Sequence, residues 1–167
     1  MKQVLSILLG VIVFVIVAII GLSLLKKDAP IVIKKGNFAQ KPLPIKLNKT
    51  NDPQCAMLIK TQKNAAEVVA PDGRTWFFDD PGCMTLWIKD KHFKDKAKLW
   101  VHTIDTKRWV DARKAKYSVT DHTAMHYGFG AREHENNKSI DFNEMQLRMY
   151  RGETLVNPKI RKKLLGE

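Results

Sequence analysis

Cys55-Ala56-Met57 places a thiol and a thioether two residues apart. On a strand, positions i and i+2 share a face, so both sulfurs point one way. A thiolate with a thioether suits a soft ion. Cu(I) fits best, and hard ions such as Mg²⁺ or Ca²⁺ do not. Zinc is less suited, because no Cys/His quartet has a standard spacing. The competing reading is a buried cysteine beside a core methionine. A second group, Met125-His126 with His122 three residues earlier, offers thioether and imidazole to complete such a site. On a strand Met125 and His126 face opposite ways, whereas His122 and Met125 can meet in a turn. A structural, hydrogen-bonded histidine is the plainer alternative. Cys83-Met84 is a third group. Adjacent residues at a helix start chelate one ion poorly, so a packed cysteine and a core methionine compete with ligation there. Cys55 and Cys83 could also pair as a disulfide in an oxidising compartment, which would remove Cys55 as a ligand.

Elements that position these residues follow from pattern. Met57–Ile59 reads as a strand. Residues 67–78 read as a hairpin around Pro71-Asp72-Gly73. Asp80 then Pro81 is an N-cap followed by proline at the first helical position, with Met84, Trp87 and Ile88 on one face. Leu99–Val101, Trp109-Val110, Tyr117–Val119 and Tyr127–Ala131 read as further strands. A helix over about 143–150 stops at Gly152. Cys55-Ala56-Met57 followed by Phe78-Asp79-Asp80 and a helix resembles Thr123-Ala124-Met125 followed by Phe142-Asn143-Glu144 and a helix. This order points to two related β–β–α halves in an α+β domain.

Val4–Leu25 carries no charged residue. At about 1.5 Å per residue it spans roughly 33 Å, enough for a bilayer core. It is also longer than the apolar region of a cleaved signal peptide. The chain therefore divides into a transmembrane anchor (1–25), a basic linker interrupted by proline (26–49), a domain (50–152, halves 50–112 and 113–152) and a basic tail (153–167). The formal charge of +12 follows the same division. The linker carries +6 and residues 148–167 carry +4, while residues 50–147 carry only +1. A basic nucleic-acid face on the domain is thereby disfavoured, and the charged ends suit anionic lipid. Phosphate-loop, dinucleotide, haem-attachment and nucleophile-elbow patterns are all missing from the sequence, so it does not read as an enzyme.

Several segments carry a family resemblance: Asp52-Pro53-Gln54-Cys55-Ala56-Met57, Asp72-Gly73, Phe78-Asp79-Asp80-Pro81-Gly82-Cys83-Met84, Trp109-Val110-Asp111-Ala112, and Thr123-Ala124-Met125-His126-Tyr127-Gly128-Phe129-Gly130-Ala131. In order and spacing they resemble the NosL family of nitrous-oxide reductase accessory proteins, over residues 50–131 and more loosely to 152. The resemblance implies two similar ββαβ halves. It implies a Cu(I) chaperone of the bacterial inner membrane, with its C-terminal domain in the periplasm. Such a protein delivers copper for nitrous-oxide reductase assembly and works with a membrane maturation transporter. A homo- or heterodimer is compatible with it. Cys55 and Met57 match the family's Cys-x-Met copper motif, and Met125 matches its later methionine. His126 stands where that pattern has glycine, so it either adds a ligand or fills space. A thiol-redox protein using Cys55 and Cys83, and a metal-free membrane-tethered interaction module, remain the alternatives.

Overall fold

A computed structural model describes residues 9–19 and 30–166. Helix α1 is described over residues 9–19, all of them exposed. Among the described residues no helix is long and apolar enough to cross a membrane. The predicted Val4–Leu25 span therefore finds no support in α1, and its remaining residues lie outside the described ones.

The fold is mixed α+β. Among the described residues seven strands follow α1: β1 (Ile33–Lys34), β2 (Ala66–Val69), β3 (Thr75–Phe78), β4 (Lys98–His102), β5 (Trp109–Asp111), β6 (Lys116–Tyr117) and β7 (Ala131–Arg132). Helix α2 (Pro81–Ile88) lies between β3 and β4, and α3 (Phe142–Arg151) and α4 (Pro158–Leu165) close the chain. The first five strands form one antiparallel sheet in the order β1-β3-β2-β4-β5, and β6 pairs with β7.

Strand periodicity sorts side chains between two layers. Ala66, Val68, Trp76, Phe78, Leu99 and Val101 face the main core, with Met84 and Ile88 of α2 and Met145 and Met149 of α3. Phe77 faces the other way, into a smaller cluster with Ile45, Ile59 and Ala65. Both faces of β2 are covered, and all four of its residues are buried. The Ala66↔Phe78 to Val69↔Thr75 register reproduces the predicted hairpin.

Three expected elements differ. Residues 26–49 are expected to be a linker; 26–29 lie outside the described residues, and 31–49 dock on the sheet. Ile33 pairs with Trp76 at the β3 edge, the buried Asn37 side chain donates to Thr75 Oγ1 at 3.1 Å, and Ile45 enters the smaller core. Lysine-rich composition here decorates an ordered strap. The Met57–Ile59 segment makes a single bridge, Asn51↔Leu58. Tyr127–Gly130 runs as loop, with only Ala131 and Arg132 in β7.

The order β2–β3–α2–β4 is followed, past β5, by β6–β7–α3, and among the described residues no strand follows α3. Helix starts are set by side-chain caps. Asp80 Oδ1 accepts the Gly82 N–H at 2.7 Å, and Asp141 Oδ1 accepts the Glu144 N–H at 2.8 Å. Gly152, at φ 67°, ends α3 in the left-handed conformation. The basic tail contains the buried Thr154 and Leu155 and then a capped helix, α4, with no buried residue.

Candidate metal centre

Asp52 builds the loop that holds Cys55. Its Oδ1 accepts the Gln54 and Cys55 N–H groups at 2.6 and 3.3 Å. Its backbone exchanges hydrogen bonds with Met57 and Ala56, at 2.9 Å each. Ala56 turns through φ 62°, so Cys55-Ala56-Met57 is a tight turn. The expectation of a strand with both sulfurs on one face is thus corrected. Met57 is 42% exposed, whereas Cys55 is half-buried against the main core.

The second oxygen of Asp52 reaches across to the end of β3, where Oδ2 accepts the Asp79 N–H at 3.1 Å. That bond brings the Cys55 loop onto the start of α2. The Cys55 thiol points at Asp79 Oδ1, 3.9 Å away. Cys83 is the third residue of α2 and fully buried. Ligand atoms of Asp52, Cys55, Asp79 and Cys83 all lie within 4.8 Å of one another. Gly82 leaves room for this junction, because a Cβ there would collide with the Tyr127 ring and come within 2.9 Å of Met149 Sδ.

The pocket is strongly electronegative. Asp52, Asp79 and Asp80 are all buried, and among the described residues none of the three is in an ion pair. Burial and the neighbouring Asp52 push the Asp79 carboxyl up to about 7. Burial raises Asp80 as well, against the pull of its backbone donors. Burial, Asp52 and Asp79 push the Cys55 thiol up to about 11, and burial with the same carboxylates drives Cys83 up further. A helix N-terminus ordinarily favours thiolate. Here the adjacent carboxylates and the lost solvation win. Burial without a counter-charge disfavours the anionic form of each group, and a bound cation would supply that counter-charge to four ligand groups at once.

Other expected ligands are distributed unevenly. Met84 is fully buried in the main core, away from ligand duty. Cys83, which the sequence left between packing and ligation, sits beside Cys55. Met125 packs against the main core, and its N–H donates to Asp80 Oδ2 at 3.1 Å, which ties the 122–127 loop to the start of α2. His122 and His126 stack on each other with ring centroids 4.8 Å apart. They line a cavity of about 660 Å³ with Met125, beneath residues of α4. Sequence reasoning missed Asp52 and Asp79 as members of the pocket. The signal was the Asp-Pro start of the Cys55 loop and the second acidic residue before an already capped helix. No family model matches the chain, and neither a curated protein nor a solved structure matches it.

Proposed function

We propose that this chain is a Cu(I)-binding metallochaperone rather than an enzyme, with Cys55 as the anchoring ligand. The observation that carries the reading is the pair of free thiols, Cys55 and Cys83, lying with the Asp52 and Asp79 oxygens within 4.8 Å of one another. Two thiols at that separation provide soft donors of the kind that select Cu(I), and the carboxylates supply the negative field that favours any cation. Cu(I) is the cargo. Cys55 is the reachable thiol and Cys83 the buried one, so an incoming partner's ligand would meet Cys55 first. Met57, exposed beside it, and Met125, held by Asp80, are the thioethers available for exchange, with His126 or His122 beyond them.

A thiol-redox role has the closeness of the two sulfurs in its favour. Exchange needs an attacking thiolate, however, and this pocket holds both groups protonated. Metal binding displaces those protons directly.

The likeness to the NosL family extends the reading. It gives a protein anchored in the inner membrane, facing the periplasm, and supplying copper to nitrous-oxide reductase together with a membrane transporter. Two observations support the likeness. His126 occupies φ 55°, a conformation that suits the glycine of the family pattern. The β–β–α order of 66–88 also recurs over 116–151, although the second pair of strands is only two residues long in each member and, among the described residues, no strand follows α3 to complete a second ββαβ half.

The test is anaerobic Cu(I) titration of the purified full chain against a Cu(I)-specific chelator. Wild type is expected to hold copper against the chelator, and Cys55→Ser to lose its tightest ion. Unchanged tight binding by Cys55→Ser would remove the assignment.

A further inference from the structure

Helix α4 stands apart from the other helices of the domain in what it lacks. It is capped at both ends, by the Asn157 side chain accepting the Lys159 N–H at 3.0 Å and by Gly166 in the left-handed conformation. Yet it runs only eight residues and none of them is buried. A helix of that length is marginal in water without packing. Its root is firm. Leu155 is buried, its N–H donates to the Tyr127 carbonyl at 3.2 Å, and a Cβ on Gly128 would come within 2.9 Å of its Cγ. Beyond that root the helix borders the cavity of about 660 Å³, whose apolar lining is Met125, Tyr127, Leu155, Val156 and Leu165. Val156 is 56% and Leu165 41% exposed. The domain itself supplies α4 with little of the packing such a helix needs.

The charge of this groove is one-sided. Lys159, Arg161, Lys162 and Lys163 all lie on α4, which has no acidic residue. Among the described residues none of the four is in an ion pair. Asp121, which also lines the cavity, is already paired with Arg132 at 3.1 Å. Like charges crowded on one short helix repel one another, and an anionic partner would relieve that repulsion. Arg161 itself lines the cavity, so a cation stands beside the apolar wall. One side chain joins the groove to the thiol pocket. Tyr127 lines the cavity, and a Cβ on Gly82, next to Cys83, would collide with its ring. Burial first, then the nearby Cys83, Asp80 and Cys55, push its phenol up to about 12.

From these observations we propose that the groove between α4 and the 120–127 loop docks an acidic, apolar-anchored segment of the protein that exchanges copper with this chain. The proposal rests on the copper reading above and adds the partner's chemistry. Carboxylates of the segment meet Arg161 and the lysines of α4, and a leucine-like side chain fills the recess lined by Leu155 and Leu165. An anionic bilayer offers the same charge, but it is flat, and the apolar surface here lines a recess. A docked segment lies against Tyr127, beside the Cys55/Cys83 pocket, so a thiol that it carries arrives near Cys55. Cu(I) then passes from the Cys55 sulfur to the incoming thiolate. The proton released by that thiol returns to Cys55, with no change of oxidation state.

The probes are a labelled peptide of alternating glutamate and leucine, its lysine-for-glutamate counterpart, and phosphatidylglycerol vesicles, each titrated onto the metal-free full chain. The acidic peptide is expected to bind, less tightly as salt rises, and the lysine peptide not to bind. Arg161→Glu with Lys162→Glu should weaken the acidic peptide about tenfold, and Val156→Ser should weaken it less. Neither variant changes a buried side chain, so the fold is kept, as thermal unfolding checks. Equal binding of the two peptides, or full affinity in the charge-reversed variant, would overturn the proposal. So would vesicles binding where the acidic peptide does not, which makes α4 a membrane face. A cysteine-ended acidic peptide should draw Cu(I) from the loaded chain faster than a cysteine-ended lysine peptide, and charge reversal on α4 should erase the difference. Equal rates would overturn the partner's part in copper exchange. If Cys55→Ser holds copper as tightly as wild type, the chaperone reading fails, while peptide binding to the metal-free chain still decides the groove.

Discussion

Among the described residues carboxyl groups are buried in two places, and the two places handle them differently. At the start of α2, Asp52, Asp79 and Asp80 are crowded beside two thiols. In the middle of β2, Glu67 stands alone and fully buried on the opposite side of the sheet from the main core. Its Oε2 accepts the Leu43 N–H at 3.0 Å, and its Oε1 has no partner. Burial pushes it up to about 8, so it can settle its burial by keeping one proton. The α2 cluster has a different remedy. Asp52 accepts three backbone N–H groups and Asp80 two, so these oxygens are committed as anions or dipolar acceptors. A lone buried acid becomes neutral, while a hydrogen-bonded group of acids and thiols is prepared for a cation.

The contrast can be broken at several points. Asp52→Ala should have the largest effect on stability. Leaving three backbone donors unmatched is expected to cost about 3 kcal/mol, read by denaturant unfolding, and to abolish tight Cu(I) retention because the Cys55 loop comes loose. Glu67→Gln should reveal the solitary acid through pH. The folded chain keeps the Glu67 proton until about pH 8, whereas an unfolded glutamate releases it near 4.5. Unfolding between those values therefore sheds a proton, and wild-type stability falls as pH rises through that window. The variant lacks that slope. Its stability relative to wild type should improve on the order of 2–3 kcal/mol from pH 5 to pH 7, measured by thermal unfolding across the range. An identical pH slope in both proteins would remove Glu67 from the account.

Gly82→Ala tests the crowding around the cluster. The added methyl meets Tyr127 and Met149 and should cost about 2 kcal/mol, again by denaturant unfolding. Asp79→Asn should have the smallest effect on stability, under about 1 kcal/mol near pH 6. Asp79 is raised to about 7 and is largely protonated there, so the amide is a near match. Copper retention should nonetheless weaken in the same protein. If stability and retention move together, the cluster is structural, as Glu67 is.

Much of the frame was legible in the sequence, because its signals are local. Pro71-Asp72-Gly73 announces the β2–β3 turn, Asp80-Pro81 the start of α2, and Gly152 the end of α3. The pocket was only half legible. Cys55 stood out by type, but Asp79 and Cys83 come from a segment more than twenty residues away, and the backbone of Ala56 adopts φ 62°, which alanine does not advertise. Reading Cys55-Ala56-Met57 as a strand set Met57 on one face with the thiol, whereas the turn leaves Met57 exposed and brings the thiol near Cys83. The strap was illegible for a related reason. Its lysines match a tether in composition, and its docking depends on a few residues, Ile33, Asn37 and Ile45, meeting partners more than ten residues distant.

That strap also governs how the molecule avoids itself. Sheet edges with open N–H and C=O groups invite pairing between chains. The outer edge of β3 is closed by two residues, Ile33 and Lys34, and the lysine at that edge discourages further pairing. A chain cut at residue 50, where composition places a boundary, would bare the β3 edge and the Phe77 side of the sheet together. Proteolysis in the strap would thus turn a self-contained domain into one whose freest bonding partner is another copy of itself.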